Sequence, residues 1–223
     1  MENQMEKIAE SVEKIRSKIP PGVLLVAAAK TRSLMEVEAI VEAGVTHIGY
    51  NYVQEGLPIM NKIGDRATWH MIGHLQTNKA KYVAEFFDIC QTVDSWHLAK
   101  YLDKRCRMVD RVLPVLVEIN SGKESNKTGV LPKDVDELVE KISSLKNLKV
   151  QGLMTMGPRF GDPENSRPYF QLTREIFIRI DSKSIPNIEM KYLSMGMSNS
   201  YQIAIEEGAN IVRIGTKLFG ERE

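Results

Sequence analysis

A lysine that closes a run of apolar residues is the first place to look for chemistry in this sequence. Val23 to Ala29 is apolar throughout, and Lys30 follows at once. An ammonium at the end of a buried strand either turns out to water or stands over the end of the sheet. In the second position desolvation lowers its pKa and frees an amine that can attack a carbonyl. Strand-end lysines are more commonly solvated. Here Ala27, Ala28 and Ala29 leave room above the sheet for something flat. Two later segments suit an anion. Ser194-Met195-Gly196-Met197-Ser198-Asn199-Ser200 and Arg213-Ile214-Gly215-Thr216 each follow a strand-like run. Hydroxyls and backbone N–H groups at a helix start attract phosphate, and Gly196 and Gly215 permit close backbone approach. Either segment alone reads equally as a turn with its cap. On two successive strands they point together to a phosphate site.

Other reactive residues say less. His70 to Lys79 contains an HxxxH spacing, but the glutamate of HExxH is absent and a strand ends between His70 and His74. No metal site is expected there; a polar pocket wall is the functional reading. His47 and His97 read as structural. Met154-Thr155-Met156 and Met195-Gly196-Met197 are either core filler or soft walls of a cofactor slot. No Ser–His–Asp arrangement is recognisable. Cys90 and Cys106 are isolated thiols without a CxxC spacing, which suits a reducing compartment.

These residues need elements to hold them. Residues 4–18 carry Ile8, Val12 and Ile15 at helical spacing. The run from Val23 is a buried-strand pattern after Pro20-Pro21-Gly22. Ser33 and Glu36 form a capping box for a helix that Gly44 stops. Strand-like runs follow at 46–49, 67–72, 87–93, 112–119, 148–153, 190–194 and 210–214, separated by helical stretches near 52–62, 77–86, 95–109, 132–144, 163–181 and 199–207. Strict alternation of strand and helix implies a parallel sheet with helices outside it. Eight such units predict an α/β fold, a (β/α)8 TIM barrel with an additional N-terminal helix. A doubly wound open sheet is the alternative, weakened by the missing GxGxxG turn after the first strand. In such barrels chemistry collects at the carboxyl ends of the strands, with phosphate after the last two. Lys30, Ser198 and Gly215 fall there.

The 223 residues have 30 basic and 29 acidic side chains, so no net field steers the chain to nucleic acid or an acidic membrane. With 43% hydrophobic and 26% charged residues the composition is that of a folded protein. No apolar run approaches the ~20 residues of a membrane span. The polar, acidic N-terminus lacks the pattern of a signal or transit peptide. One domain over residues 1–223, a cytoplasmic location and a monomer are the expectations, with no linker-like stretch and no unusually apolar helix face.

The combination of a lysine after strand one with phosphate contacts after strands seven and eight resembles the pyridoxal phosphate homeostasis protein family, which is similar to the N-terminal barrel of alanine racemase. The resemblance is carried by Ala28 to Thr31, Asn51 with Val53-Gln54-Glu55, His70 to Lys79, the loop Ser121-Gly122-Lys123-Glu124-Ser125 with Lys127 and Gly129, Gly152 to Met156, Ser194 to Ser198, and Val212 to Gly220. It implies pyridoxal 5'-phosphate as cofactor. Lys30 would hold it as a covalent aldimine. Ser198, Gly215 and Thr216 would bind its phosphate, and Arg213 would face the pyridine nitrogen. Asn51 and Met154 would lie beside the ring, with His70 further out. The implied role is a non-catalytic carrier in pyridoxal phosphate homeostasis, with apo pyridoxal phosphate enzymes as candidate recipients. An always-charged arginine at the ring nitrogen would make the ring a poor electron sink. Alanine racemase also draws a tyrosine from a second domain, which is not expected in the short stretch after strand eight. An amino-acid racemase-like enzyme is the alternative. A cofactor-free Schiff-base aldolase and a purely structural interaction protein are more distant ones. The chain departs from the family pattern at Tyr50, where a glutamate is usual, and at Ser200, usually acidic. Tyr50 is expected to remove a carboxylate from the cofactor mouth and add bulk there.

Overall fold

The computed structural model describes residues 2–124, 127–158 and 161–221. Ser125 of the loop singled out above lies outside the described residues. The predicted strand runs form β1 (Leu24–Ala28), β2 (His47–Tyr50), β3 (Thr68–Met71), β4 (Ile89–Val93), β5 (Leu113–Ile119), β6 (Leu148–Thr155), β7 (Ile188–Ser194) and β8 (Ile211–Ile214). All neighbours pair in parallel, and β1 pairs with β8 as well as with β2. The sheet is therefore a closed eight-stranded barrel, and the open-sheet alternative is excluded. Outside it lie α2 (Leu34–Glu42), α3 (Val53–Ile63), α4 (Ala80–Phe86), α5 (Trp96–Met108), α6 (Val135–Ser143), α7 (Arg167–Ser182) and α8 (Tyr201–Glu206). The extra N-terminal helix is α1 (Glu2–Arg16). A final short helix, α9 (Thr216–Phe219), follows β8 and was not expected from the sequence.

Local chemistry sets several boundaries. The Ser33 hydroxyl accepts from the Glu36 N–H while the Glu36 carboxylate accepts from the Ser33 N–H, so the capping box starts α2 as predicted. Gly44 then takes a positive φ of 89°, which ends the helix. The helical stretches predicted from 77 and 163 each begin with a short 3-10 turn, Thr77–Lys79 and Pro163–Ser166.

Strand alternation divides the interior in two. Outward residues such as Ala27, Ile48, Met71, Val117 and Val212 pack under the helices in the main apolar core. Inside the barrel the apolar cluster is small, with Ile89, Leu116 and Met154 at its centre. Alongside a few further apolar residues such as Val26 and Ile72, the buried interior carries a polar set: His70, Gln91, Glu118, Ser194 and Arg213. Such groups tolerate burial only when hydrogen-bonded. Their partners determine how the site above them is held.

Candidate functional site

Lys30 lies two residues beyond β1, where the chain turns sharply. Thr31 adopts a left-handed φ of 64°, and its N–H donates to the Glu55 carboxylate at 3.1 Å. That contact, from the first turn of α3, fixes the turn that presents Lys30. The lysine Nζ sits 4.9 Å from the centroid of the Tyr52 ring, a cation–π contact at the half-exposed rim.

Because β8 neighbours β1, its carboxyl end comes up beside Lys30. A Cβ on Gly215 would lie 3.2 Å from the Ala28 carbonyl oxygen, so only a glycine lets the two strand ends approach this closely without displacement. The Arg213 N–H donates to the Gly196 carbonyl, drawing the loop after β7 against β8. Gly196 has φ of 89°, and a Cβ there would sit 2.6 Å from that of Ala204. The Ser198 Oγ then accepts from the backbone N–H groups of Gly215 at 3.3 Å and Lys217 at 3.4 Å. Hydroxyl and amide groups from two loops thus converge on one spot.

Lys30, Asn51, Ser198, Arg213, Gly215 and Thr216 all line one cavity of about 430 Å³ at the carboxyl end of the barrel. Ala28, Ile72, Met156, Met197 and Asn199 complete the lining; Ala28 gives the room expected of the alanine run, Met156 and Met197 are the soft walls the methionine pairs offered, and Ile72 falls in the His70 to Lys79 segment. Two expected residues lie lower. His70 is buried inside the barrel below Ile72, the inward residue one step further along the chain. It hydrogen-bonds to His47 and Gln91 and does not lie further out. Met154 packs on Ile89 and Leu116, and the wall position belongs to Met156, two residues on. A second cavity of about 330 Å³ shares Asn51 and takes in Tyr52, His74, Gln76 and Lys79. His74 pairs with Asp94 at 3.5 Å.

The Tyr50 expectation is corrected. Gly49 and Asn51 point inward, so Tyr50 points outward, fully buried beneath the helices, 6.3 Å from the Trp69 ring. It adds no bulk to the cavity mouth. Ser200 is also buried, and its hydroxyl accepts from the Met197 N–H at 3.3 Å, bracing the loop that carries Ser198.

Charge in the site is controlled by burial. Arg213 is 4% exposed; its guanidinium donates to Ser194 Oγ at 2.5 Å and to the Thr155 carbonyl at 2.8 Å. Burial pulls its pKa down to about 10, and Glu118 partly offsets this, so it stays a cation at neutral pH. Burial pushes the Glu118 carboxyl up to about 7 against the lowering pull of Thr128 and Arg213. Glu118 Oε1 accepts from the Thr128 hydroxyl at 2.9 Å, and Oε2 has no partner among the described residues.

An amine, a donor-rich cradle and a buried cation thus line one cavity. Across residues 4–223 the chain matches the family model for the N-terminal domain of alanine racemase. It is 39% identical to the pyridoxal phosphate homeostasis protein of Aquifex aeolicus, over 99% of this chain and 97% of that one. The chain belongs to the pyridoxal phosphate homeostasis protein family. Within this family, the protein of the same name from Vibrio alginolyticus is 36% identical over 98% of this chain and 99% of its own. Among solved structures, PipY of Synechococcus elongatus with pyridoxal phosphate bound superposes with a TM-score of 0.87. It is 32% identical, and the match covers 96% of this chain and all of that one.

Proposed function

We propose that this member of the pyridoxal phosphate homeostasis protein family carries pyridoxal phosphate reversibly on Lys30 and does not turn it over. The observation that carries the reading is that the Lys30 amine and the Ser198–Gly215–Thr216 cradle line one cavity. The residues suit the group. The lining includes an amine able to bond an aldehyde. With it, the Ser198 hydroxyl, held by the N–H groups of Gly215 and Lys217, and the Thr216 hydroxyl offer donors to a phosphate. Gly215 leaves the space that a Cβ would fill. Arg213 would face the ring nitrogen, and Asn51 and Ala28 would lie beside the ring. Met154 and His70 support this arrangement from below.

When bound, the cofactor supplies an electrophilic aldehyde and a ring that can accept electrons. Arg213, a cation, disfavours a proton on the ring nitrogen and so blunts that capacity. Among the described residues the cavity lining holds no carboxylate and no histidine to move a substrate proton. Holding and handing on the cofactor, with apo enzymes as recipients, is what such a site does well.

Purified protein loaded with pyridoxal phosphate is expected to be yellow. Borohydride reduction and peptide mapping are expected to place the adduct on Lys30. Lys30→Ala is expected to lose both the visible band and the adduct. Sustained racemisation of any amino acid, abolished in Lys30→Ala, would overturn the carrier reading in favour of an enzyme.

A further inference from the structure

Below the cavity, side chains from five strands, all buried except the half-buried His47, join end to end. Arg213 donates to Ser194 Oγ at 2.5 Å, and Ser194 Oγ donates to Gln91 Oε1 at 2.7 Å. Gln91 Nε2 lies 2.8 Å from His70 Nδ1, and His70 Nε2 lies 3.0 Å from His47 Nδ1. The residues come from β8, β7, β4, β3 and β2 in turn. A register shift in β4 between Cys90 and Val93 spans the Gln91 position. His47, at the foot, lines another cavity at the opposite end of the barrel together with Arg16.

The direction of this chain is set by Arg213 at one end and by the Gln91 amide, whose Oε1 faces Ser194 and whose Nε2 faces His70. A guanidinium can only donate. Ser194 Oγ therefore accepts from Arg213, and its single proton goes to Gln91 Oε1. Gln91 must then present its amide N–H to His70, which accepts through Nδ1. His70 carries its proton on Nε2 and donates to His47 Nδ1, leaving the His47 proton on Nε2.

We propose that Gln91 and Ser194 are positioning residues for Arg213, forming with His70 and His47 a one-way hydrogen-bond chain that fixes the guanidinium at the cavity and holds both histidines neutral. The assignment of Arg213 to the cofactor's ring rests on the function proposed above; the direction of the chain does not.

Neither histidine can accept a proton at Nδ1 without setting two donors face to face. Protonating His70 opposes its Nδ1–H to the Gln91 amide, and protonating His47 opposes its Nδ1–H to the His70 Nε2–H. The surrounding charges do not remove this block. Asp88 attracts a proton toward His47 but is itself 3.7 Å from Arg111. Arg16 lines the foot cavity together with His47. Glu118 faces Arg213 at the other end. Burial acts in the same sense, holding His70 down at about 3 and His47 below its ordinary value.

The test uses imidazole nitrogen NMR on the full chain without cofactor, and cofactor affinity measured separately by absorbance. Wild type is expected to show both histidines neutral with the proton on Nε2, unchanged from pH 8 to 5. Gln91→Glu keeps the shape but places acceptors on both sides. It is expected to move the His70 proton to Nδ1 and to make the pair titrate near neutral pH. Ser194→Ala removes the acceptor for Arg213 and is expected to weaken pyridoxal phosphate binding about tenfold, the scale of losing a charged hydrogen bond. Unchanged tautomers in Gln91→Glu would overturn the directed chain. Unchanged affinity in a folded Ser194→Ala would overturn the positioning role and leave the cofactor reading standing. Failure of wild type to bind pyridoxal phosphate would overturn the cofactor reading, and the role toward it, while leaving the chain's direction intact.

Discussion

Glu118 is an acid that has lost its water. Its folded-state pKa of about 7 lies above the ordinary 4.5, so folding favours its protonated form. Its penalty is absent below about pH 4.5, grows between 4.5 and 7, and is complete above 7. At about 1.4 kcal/mol per unit, the rise amounts to on the order of 3 kcal/mol. Glu118→Gln is therefore expected to stabilise the protein at pH 8 and to give no gain at pH 4.5. Urea unfolding at the two pH values checks this, and an equal gain at both would contradict it. His70 works in the opposite sense. Its pKa is lowered on folding, so the stability linked to it is present above 6.5 and is lost as pH falls toward about 3.

At the scale of elements, one strand glycine and one helix cap matter most. Gly152 lies where the β6–β7 register shifts, with φ of 143°, and a Cβ there would sit 1.8 Å from the Tyr192 carbonyl oxygen. Backbone must move to admit any side chain. Gly152→Ala is expected to cost on the order of 3 kcal/mol or more in denaturant unfolding. A loss under 1 kcal/mol would mean that the strands slide apart freely. Ser33→Ala removes the α2 cap and is expected to cost about 1 kcal/mol. The capping box was readable because both its residues are local. So was Lys30, because an apolar run with a charge behind it marks a strand end. Depth was not readable. His70 and Met154 carry the right side-chain direction, but whether an inward residue lines the mouth or the layer beneath is set by strand stagger, which is fixed only when the sheet closes. Tyr50 misled for a related reason: one position along a strand changes the face. Gln91, Glu118 and Ser194 did leave a signal. Each interrupts a strand that burial on both faces should make apolar, and a polar residue there marks an interior network.

For the whole molecule, closure is the decisive fact. Arg32 ties the seam from outside: it pairs with Glu36 at 2.9 Å, donates to the Gly220 carbonyl at 2.6 Å and lies 5.2 Å from the Phe219 ring. It thereby joins the segment after β8 to the helix after β1, on the two strands that bring Lys30 and the cradle together. Arg32→Ala is expected to lower the melting temperature by several degrees, as a loss of about 1–2 kcal/mol would. It is also expected to speed release of pyridoxal phosphate, measured by dilution into a scavenging apo enzyme. Faster release without any loss of stability would place the effect at the rim and not at the seam.

The ring of strands has a consequence for how much of this protein a cell could hold. A sheet that bites its own tail offers no ragged margin on which a second chain could add a strand. Crowded copies then have little means of stitching themselves into fibrils.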